Sequence, residues 1–538
     1  MRKNTNDESG TTLTAEARRR SAAPFHGVAR SGVANLVGGV LGAAVNLGLL
    51  VLVARSLPRH DAGIVFATTS LFVLVEAAAR LGVDVSIVHF FAGARARGRP
   101  AEPARYLRAA LVPVLVVGAV AGLVLALLAP QILDAVLRGG SVSHGRGLMI
   151  ALAVAIPVAA AYDVVVGATR GLGAVRPTVA LERFLRPTLQ VVLVGIALSL
   201  GGGAFAVVLA WVAPYFVVAV LGGVWLRRLL PSGTDQERRA VGSGEPAAFW
   251  RFTLPRALAS MAQIGLQRLD ILLVGALRGP VAAAVYTGAT RFVVVGQLGN
   301  QVISYAVQPR LAGLVAVGDL DSARRLYRLS TAWLIALTWP LFLVVAVAAP
   351  LVLDILGPGY RSGRWVMLLL AGAMLVGSGS GLVDIVLITL GKTRWNLGDT
   401  LVALTINVVL NIVLIPRLGI TGAALAWAVS IVVGNVIALT QVRRGFRLDP
   451  FGGLATLVAA VAAVCFAALP GVAAAVFGLR VWPVVAATAL GSLAYVAVLY
   501  RLRGRLQLDL VRGRRPPRSD AATPAMQARE DSFARDEA

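Results

Sequence analysis

The chain is poor in the residues that build most catalytic, metal and disulfide sites. Cys465 is its only cysteine in 538 residues, so it cannot form an internal disulfide or a cysteine-based metal site. Its four histidines are scattered and match no metal-ligand spacing. The sequence contains no phosphate-binding loop, nucleophile elbow or zinc motif. These absences exclude most enzyme classes, and we expect neither a catalytic activity nor a cofactor.

Charged residues are scarce as well. They make up 14% of the chain, whereas a soluble domain carries about 25%. The apolar residues gather in runs of about 20, the length that crosses a hydrocarbon core of about 30 Å, and most runs lack the polar stripe of a soluble helix. We therefore predict an all-α, polytopic membrane protein with about 14 transmembrane helices. The predicted spans are 31–54, 62–91, 106–129, 147–168, 177–200, 204–226, 252–277, 282–308, 329–353, 365–390, 396–416, 419–441, 453–477 and 481–500.

Lysine is almost absent, since Lys3 and Lys392 are the only two and arginine supplies the rest of the net charge of +25. Such a charge on a soluble protein would suggest nucleic acid, but no basic stretch alternates with stacking aromatic residues. The arginines instead collect in alternate loops, which is typical of the cytoplasmic side of a membrane protein. We predict that both termini are cytoplasmic, that basic loops contact membrane lipids, and that no nucleic acid is bound.

A faint internal repeat and a central linker divide the chain. Residues 52–66 resemble residues 272–286 at a constant offset. The longest predicted cytoplasmic loop contains flexible Ser and Gly residues. Duplicated bundles of this kind are a common transporter plan, so we predict two pseudo-symmetric six-helix lobes around a central cavity, plus two C-terminal helices. The predicted parts are an N-terminal cytoplasmic tail 1–30, an N-lobe 31–226, a cytoplasmic linker 227–251, a C-lobe 252–445, extra spans 446–505 and a disordered cytoplasmic tail 506–538.

Arginines inside the predicted spans are costly in a bilayer and are therefore candidates for function. Arg186 and Arg291 lie about 15 Å and about 14 Å from the starts of their spans, at 1.5 Å per residue, which places one near the midplane in each half. Facing arginines in a wet cleft suit a phosphate or diphosphate, since the guanidinium group is planar and always charged. For Arg186 the alternative is an ion pair with Glu182, one turn earlier. Arg256, at the predicted cytoplasmic mouth, is a third candidate for substrate contact.

Acidic residues inside the spans are candidates for a gate or for a proton or sodium site. Glu76, Arg80 and Asp84 are four residues apart and share one predicted helix face. Their alternative role is an ion-pair ladder that only locks helices together. Asp163 and Asp384 are the two further candidates for gating or ion coupling.

Three other features of the spans suggest structural roles. Arg268 and Asp270, near the outer end of the seventh span, are expected to form a structural pair or to reach for the interface. The run Gly377–Gly381, Gly-Ser-Gly-Ser-Gly, interrupts the tenth span and would either unwind or allow close packing. The second span, 62–91, is long enough to be kinked or to continue beyond the bilayer.

Several segments resemble polysaccharide and lipid-linked oligosaccharide flippases. Residues 411–426, NIVLIPRLGITGAALA, are similar to the signature near the end of the family's core, where an Asn, a Pro, a Gly and a Gly-Ala-Ala step mark a turn between two spans. Residues 389–394 are similar to the short basic turn before it. Residues 267–275 and 286–291 resemble the opening of the second half. The turn at 56–63 matches loosely, because the Gly expected before its Pro is absent.

The resemblance covers about residues 28–445 and is to the superfamily of multidrug, oligosaccharidyl-lipid and polysaccharide exporters. It implies two six-helix lobes around a typically cationic cavity that works by alternating access. The implied function is a flippase that moves an undecaprenyl-diphosphate-linked oligosaccharide across the bacterial plasma membrane for cell-surface polysaccharide biosynthesis. The implied partners are this lipid-linked oligosaccharide, a coupling ion (H+ or Na+), a polysaccharide polymerase and glycosyltransferases.

Three other functions stay open at this point. A multidrug or cation antiporter of the same superfamily would need acids at the centre of its cavity, where this sequence places arginine. A lipid II flippase would share nearly everything that the sequence shows. A membrane-embedded glycosyltransferase is disfavoured, because the predicted outer loops are too short for a folded domain.

Overall fold

A computed structural model describes residue 39 and residues 41–99, 102–137, 145–230 and 245–507. Within these ranges the chain consists of helices joined by short connections, without a strand, which confirms the predicted all-α class. Twelve of the described helices are long and apolar enough to cross a membrane. The predicted tail 1–30, most of the tail 506–538 and the middle of the predicted linker lie outside the described residues.

In the first six predicted spans, the described residues are mostly helical. A π-helical segment, Thr178–Leu185, precedes the helix of the fifth span. The helices of this half are α1 Leu41–Ser56, α2 Arg59–Arg80, α3 Val83–Ala96, α4 Glu102–Leu127, α5 Ala129–Leu137, α6 Gly145–Gly171, α7 Arg186–Ser199 and α8 Ala204–Leu229.

The remaining eight predicted spans are mostly helical as well, with helix breaks inside the ninth and tenth. In the second half the helices are α9 Glu245–Arg278, α10 Pro280–Ala316, α11 Leu320–Val347, α12 Ala349–Asp354, α13 Arg364–Gly379, α14 Val383–Thr389, α15 Thr393–Leu418 and α16 Ile420–Phe446. The C-terminal pair comprises α17 Gly453–Ala463, which continues through a π-helical segment, Val464–Ala468, into α18 Leu469–Phe477, and then α19 Val481–Arg501.

The two halves meet along the helices that carry the internal repeat. Helix α2 of the first half packs against both α9 and α10 of the second half. The closest approach is at Gly63, where an added Cβ atom would lie 1.8 Å from the carbonyl oxygen of Pro280. At the same end of the molecule, Arg55 donates a hydrogen bond of 2.7 Å from Nε to the carbonyl oxygen of Ile355. These contacts join the two halves at one end of the helix bundle.

Two long spans are broken within the bundle. The second span ends its first helix at Arg80, and Leu81 and Gly82 then adopt left-handed conformations before α3 begins. The tenth span unwinds after Gly379 and resumes at Val383. Both breaks interrupt apolar sequence that a hydropathy pattern reads as one continuous helix. They give these spans local freedom to bend.

The C-terminal pair docks on the second half of the chain. Trp333 of α11 donates a hydrogen bond of 2.8 Å from its indole nitrogen to the carbonyl oxygen of Leu506. Tyr495 of α19 donates one of 3.1 Å to the carbonyl oxygen of Ala336. The opposite side of this pair carries exposed apolar side chains such as Trp482 and Leu493, as expected for a face in contact with lipid.

Candidate functional site

A cavity of about 640 Å³ lies between the two halves of the bundle. It is lined by α1, α2, α6, α7 and α8 and the π-helical segment from the first half, and by α9 and α10 from the second. Five arginines and three acidic residues of the described chain face it, so the cavity wall carries an excess of positive charge. These charged residues are Glu76, Arg80, Asp163, Glu182, Arg183, Arg186, Arg268 and Arg291.

Arg80 is surrounded by carboxylates. Its Nη1 atom lies 2.8 Å from Oδ2 of Asp163 and 3.6 Å from Oδ2 of Asp84, and its Nε atom lies 3.7 Å from Oε1 of Glu76. The break after Arg80 therefore leaves all three members of the predicted ladder together, and α6 adds Asp163. These acids neutralise the charge of Arg80. Arg80 is therefore a poor ligand for an anionic substrate.

Glu76 is the most buried acid of this cluster, with 7% of its surface exposed. Its Oε1 atom is buried and accepts no hydrogen bond from the described residues. An ionised carboxylate without a donor is costly inside a membrane protein.

Arg186 is positioned by an unusual stretch of helix. It follows directly on the π-helical segment Thr178–Leu185, and such segments are frequent at functional sites. Its guanidinium carbon lies 5.0 Å from the centre of the Tyr215 ring. Its Nε atom is buried and donates no hydrogen bond within the described residues. Arg186 is therefore held by a cation–π contact while its charge lacks a carboxylate partner in the described part of the chain.

The alternative role for Arg186, an ion pair with Glu182, is not found in the described part of the chain. The Glu182 carboxylate lies 3.8 Å from the guanidinium group of Arg170 instead. The physical reason is the π-helical turn, since it shifts the register in which residues four apart share a face.

Arg268 and Arg291 bring two further positive charges to the second-half wall. Their charges repel each other, and Asp270 is the nearby acid that opposes this repulsion. The carboxylate of Asp270 is already occupied, because it accepts hydrogen bonds from the hydroxyl of Tyr286 at 2.5 Å and from the amide of Ile271 at 2.8 Å. Among the described residues, no carboxylate forms an ion pair with either arginine.

Of the two roles predicted for Arg268 and Asp270, a structural pair or a reach for the interface, the structural pair is wrong. Residues two apart on a helix point to different sides, so Arg268 faces the cavity while Asp270 turns into the packing against α10. The charge pattern of the sequence alone favoured a structural role for Arg268. Its position on the cavity wall depends on which helices pack around α9, and the sequence carries no local signal of this packing.

Aromatic rings and an amide line the next turn of the same wall. Helices α7 and α8 are joined by a short connection and run antiparallel. Gln190 lies one turn, about 6 Å, from Arg186 on α7, and Trp211 lies one turn from Tyr215 on α8. Gln190 donates a hydrogen bond of 3.0 Å to the carbonyl oxygen of Trp211. The Trp211 ring meets Phe72 edge to face, with ring centres 5.5 Å apart. Sequence reasoning missed this layer, because uncharged residues in apolar helices carry no signal of their own.

Three predicted site residues, Arg256, Asp384 and Asp84, are not part of the cavity wall. Arg256 is exposed on α9 and stacks over Phe252 at 4.5 Å. Asp384 is exposed at the start of α14 and is not part of the cavity wall. Of the predicted set, the structure brings together Arg186, Arg291, Glu76, Arg80 and Asp163, with Asp84 behind them. In the described ranges no cluster of metal-ligating side chains is present.

Comparisons with known proteins match this chain to a polysaccharide biosynthesis family and to the fold of membrane transporters. The model of the family described as "Polysaccharide biosynthesis protein" matches residues 28–315. No curated protein sequence matches the chain. Among solved structures, the lipid II flippase MurJ in an inward closed conformation is 10% identical, with a TM-score of 0.65, and the match covers 86% of this chain and 98% of that one.

The structures of two transporters described as members of the MOP superfamily are also similar to this chain at low sequence identity. An inward-facing multidrug resistance MATE family transporter is 17% identical, with a TM-score of 0.56 and coverage of 78% of this chain and 94% of that one. A transporter from Pyrococcus furiosus, described as having a binding pocket of reverse polarity, is 16% identical, with a TM-score of 0.54 and coverage of 78% and 95%. At these identities the likeness shows the shared fold.

Proposed function

This chain belongs to the polysaccharide biosynthesis protein family, and from that premise we propose that it is a flippase for an undecaprenyl-diphosphate-linked oligosaccharide. The protein would carry the glycan and diphosphate through the central cavity by alternating access, while the lipid tail stays in the bilayer. A polar path of this kind is required, because a charged headgroup has a prohibitive free energy in hydrocarbon.

One observation carries the proposal. Arg186, Arg268 and Arg291 line a single cavity from both halves of the chain, and none of them has a carboxylate partner in the described ranges. Arginine binds phosphate oxygens in a planar, charge-assisted geometry. A diphosphate between these three side chains would neutralise charges that the protein itself leaves unbalanced.

The arrangement argues against export of amphipathic cations. A cation antiporter needs accessible acids, whereas the carboxylates of Glu76 and Asp163 are grouped around Arg80. The third acid of the cavity wall, Glu182, lies 3.8 Å from the guanidinium group of Arg170. The Pyrococcus furiosus transporter described with a pocket of reverse polarity is a precedent for one fold with cavities of different charge. A lipid II flippase would bind the same diphosphate group. It would differ from the function proposed here only in the glycan that it moves.

The cluster around Arg80 is our candidate for coupling to an ion gradient. Glu76, Asp84 and Asp163 share one guanidinium group beside the substrate cavity. Binding of an anion at Arg186 would change the field at these acids, and a proton or sodium ion could then be taken up or released. The exposed Asp384 lies apart from this cluster and is a weaker candidate.

We further propose that the protein resides in the bacterial plasma membrane with both termini in the cytoplasm. The family and the helical architecture are those of multi-pass membrane transporters. The concentration of arginine in alternate loops supports the orientation.

Reconstitution in liposomes with defined lipid-linked sugars tests the function. The transfer of a fluorescent lipid-linked oligosaccharide between leaflets is followed by its protection from an added quencher. Arg186→Ala and Arg291→Ala should each slow transfer at least about tenfold, because each removes a charge-assisted contact of about 1.5–3 kcal/mol. Arg251→Ala, at an exposed position of α9, is the matched control and should transfer at the wild-type rate.

Two results would contradict the proposal. Wild-type liposomes that transfer lipid II and not the other glycans would favour the lipid II flippase. Normal transfer by both arginine variants would show that these side chains do not hold the diphosphate.

A further inference from the structure

The wall formed by α7 and α8 has two layers of different chemistry. In the first layer Arg186 lies over the ring of Tyr215. In the second, one turn closer to the connection between the helices, Gln190 is hydrogen-bonded to the backbone of Trp211. The charged groups of this wall belong to the first layer, and the second continues into the apolar side chains of Val194 and Val207.

Trp211 is held in one orientation. Its ring packs edge to face on the fully buried Phe72, at 5.5 Å and 88°, and against Tyr215, at 5.8 Å and 61°. Trp211 itself is partly exposed and forms part of the cavity wall. A large aromatic surface that is braced from behind and open in front is a preorganised binding surface.

From these two layers we propose that Trp211 and Gln190 form the subsite for the sugar ring that is bonded to the diphosphate, an inference that rests on the function proposed above. The first sugar is attached to the distal phosphate through a single oxygen, so its ring must lie within about one helical turn of the phosphate. With the diphosphate at Arg186, the next layer along the wall is the one that carries Trp211.

The chemistry of this layer fits a sugar ring. A pyranose presents a face of C–H groups, which packs on an indole ring, and a rim of hydroxyl groups, which require polar partners. Gln190 uses one amide hydrogen on the Trp211 carbonyl, and its side chain has a further amide hydrogen and a carbonyl oxygen. The absence of charge from this layer suits a neutral sugar better than a second phosphate.

Equilibrium binding with two probes tests the subsite. Full-length protein in lipid nanodiscs is titrated with undecaprenyl diphosphate and with the same lipid bearing an oligosaccharide. The wild type should prefer the glycosylated lipid by about tenfold, equivalent to about 1.4 kcal/mol. Trp211→Leu should abolish this preference and leave the affinity for the sugar-free lipid unchanged, whereas Trp211→Phe should retain part of it.

Two further variants make the test decisive. Trp482→Leu replaces a tryptophan that is 81% exposed on α19 and should keep the full preference. Gln190→Leu should reduce the preference by removing the amide, and it serves as the test if Trp211→Leu does not fold. Equal weakening of both lipids by Trp211→Leu, or an unchanged preference in the Trp211 and Gln190 variants, would overturn the inference.

A failure of the proposed function would look different. If Arg186→Ala bound the sugar-free lipid as tightly as the wild type, the diphosphate would lie elsewhere. A preference for glycan that depends on Arg186 and not on Trp211 would keep the function and remove only the sugar subsite.

Discussion

At the scale of single residues, the charges of the cavity separate into those the protein neutralises and those it leaves for a ligand. Arg80 belongs to the first group, since three carboxylates lie within 4 Å of it. Arg186, Arg268 and Arg291 belong to the second. The distinction matters because an arginine that is already paired gains little from a phosphate, whereas an unpaired one gains a partner that it lacks.

The first prediction concerns the stability contributed by Arg80. Arg80→Ala should lower the free energy of unfolding by about 3–5 kcal/mol, because it leaves partly buried carboxylates without their counter-ion. Thermal unfolding in detergent gives the measurement. Arg361→Ala breaks an exposed pair with Asp354 and is the matched control, with an expected loss below about 1 kcal/mol. Equal effects of the two variants would show that the Arg80 cluster is not a buried network.

The sequence predicted some of these residues for sound reasons. The depth of Arg186 and Arg291 within their spans follows from helical rise alone, and the structure places both on the cavity wall. The alternative, a pair between Arg186 and Glu182, does not form, because a π-helical turn that no local sequence signal reveals lies between them. The cavity position of Arg268 depends on which neighbours α9 meets, and this is a tertiary property.

At the scale of elements, the interrupted tenth span combines an unwound turn with close packing. Gly381 has a positive φ of +73°, and an added Cβ atom would lie 2.3 Å from Oγ1 of Thr331. The hydroxyl of Tyr327 donates a hydrogen bond of 2.8 Å to the carbonyl oxygen of Ser380. The glycine run was predicted either to unwind or to allow close packing, and the structure shows both at Gly381.

The second prediction uses two glycines of this run. Gly381→Ala should destabilise the protein by at least about 1 kcal/mol, since it combines a left-handed conformation with a steric clash. Gly377→Ala should be tolerated, because a Cβ atom there meets only side-chain atoms at 3.6 Å and beyond. Thermal unfolding of the two variants side by side makes the comparison. A larger loss for Gly377→Ala than for Gly381→Ala would refute the proposed packing.

Helix positions were predictable and helix irregularities were not. The predicted spans 204–226 and 453–477 agree with the observed helices within a few residues, because long apolar runs of this length have few alternatives. The break at Leu81 was foreseen only as one consequence of an overlong span. At this break Gly82 packs closely against a residue far away in the sequence, since an added Cβ atom would lie 2.7 Å from the backbone nitrogen of Ala257.

At the scale of the whole molecule, the apolar runs and a weak repeat predicted the fold, and the distribution of arginine predicts the orientation in the membrane. The bounds of the two lobes at 226 and 252 stay predictions, as does the cytoplasmic location of the termini. The location of the termini depends on which loops face which side of the membrane.

The third prediction tests this topology. Cys465 is the only cysteine of the chain, so Cys465→Ser gives a cysteine-free background into which single labelling sites can be introduced. Leu200→Cys, in the connection between α7 and α8, should react with an impermeant thiol reagent added to intact cells. Val317→Cys, between α10 and α11, should react only after the cells are permeabilised; both native side chains are highly exposed, at 81% and 77%. The reverse pattern of labelling would invert the proposed orientation.

The most direct test of the central claim is a structure of the full-length protein in nanodiscs with an undecaprenyl-diphosphate-linked oligosaccharide bound. We expect the diphosphate in the cavity between the two halves, with its oxygens about 2.7–2.9 Å from the guanidinium nitrogens of Arg186 and of Arg291 or Arg268. A diphosphate bound outside this cavity, for example at the exposed Arg256, with those three arginines turned away from it, would contradict the claim.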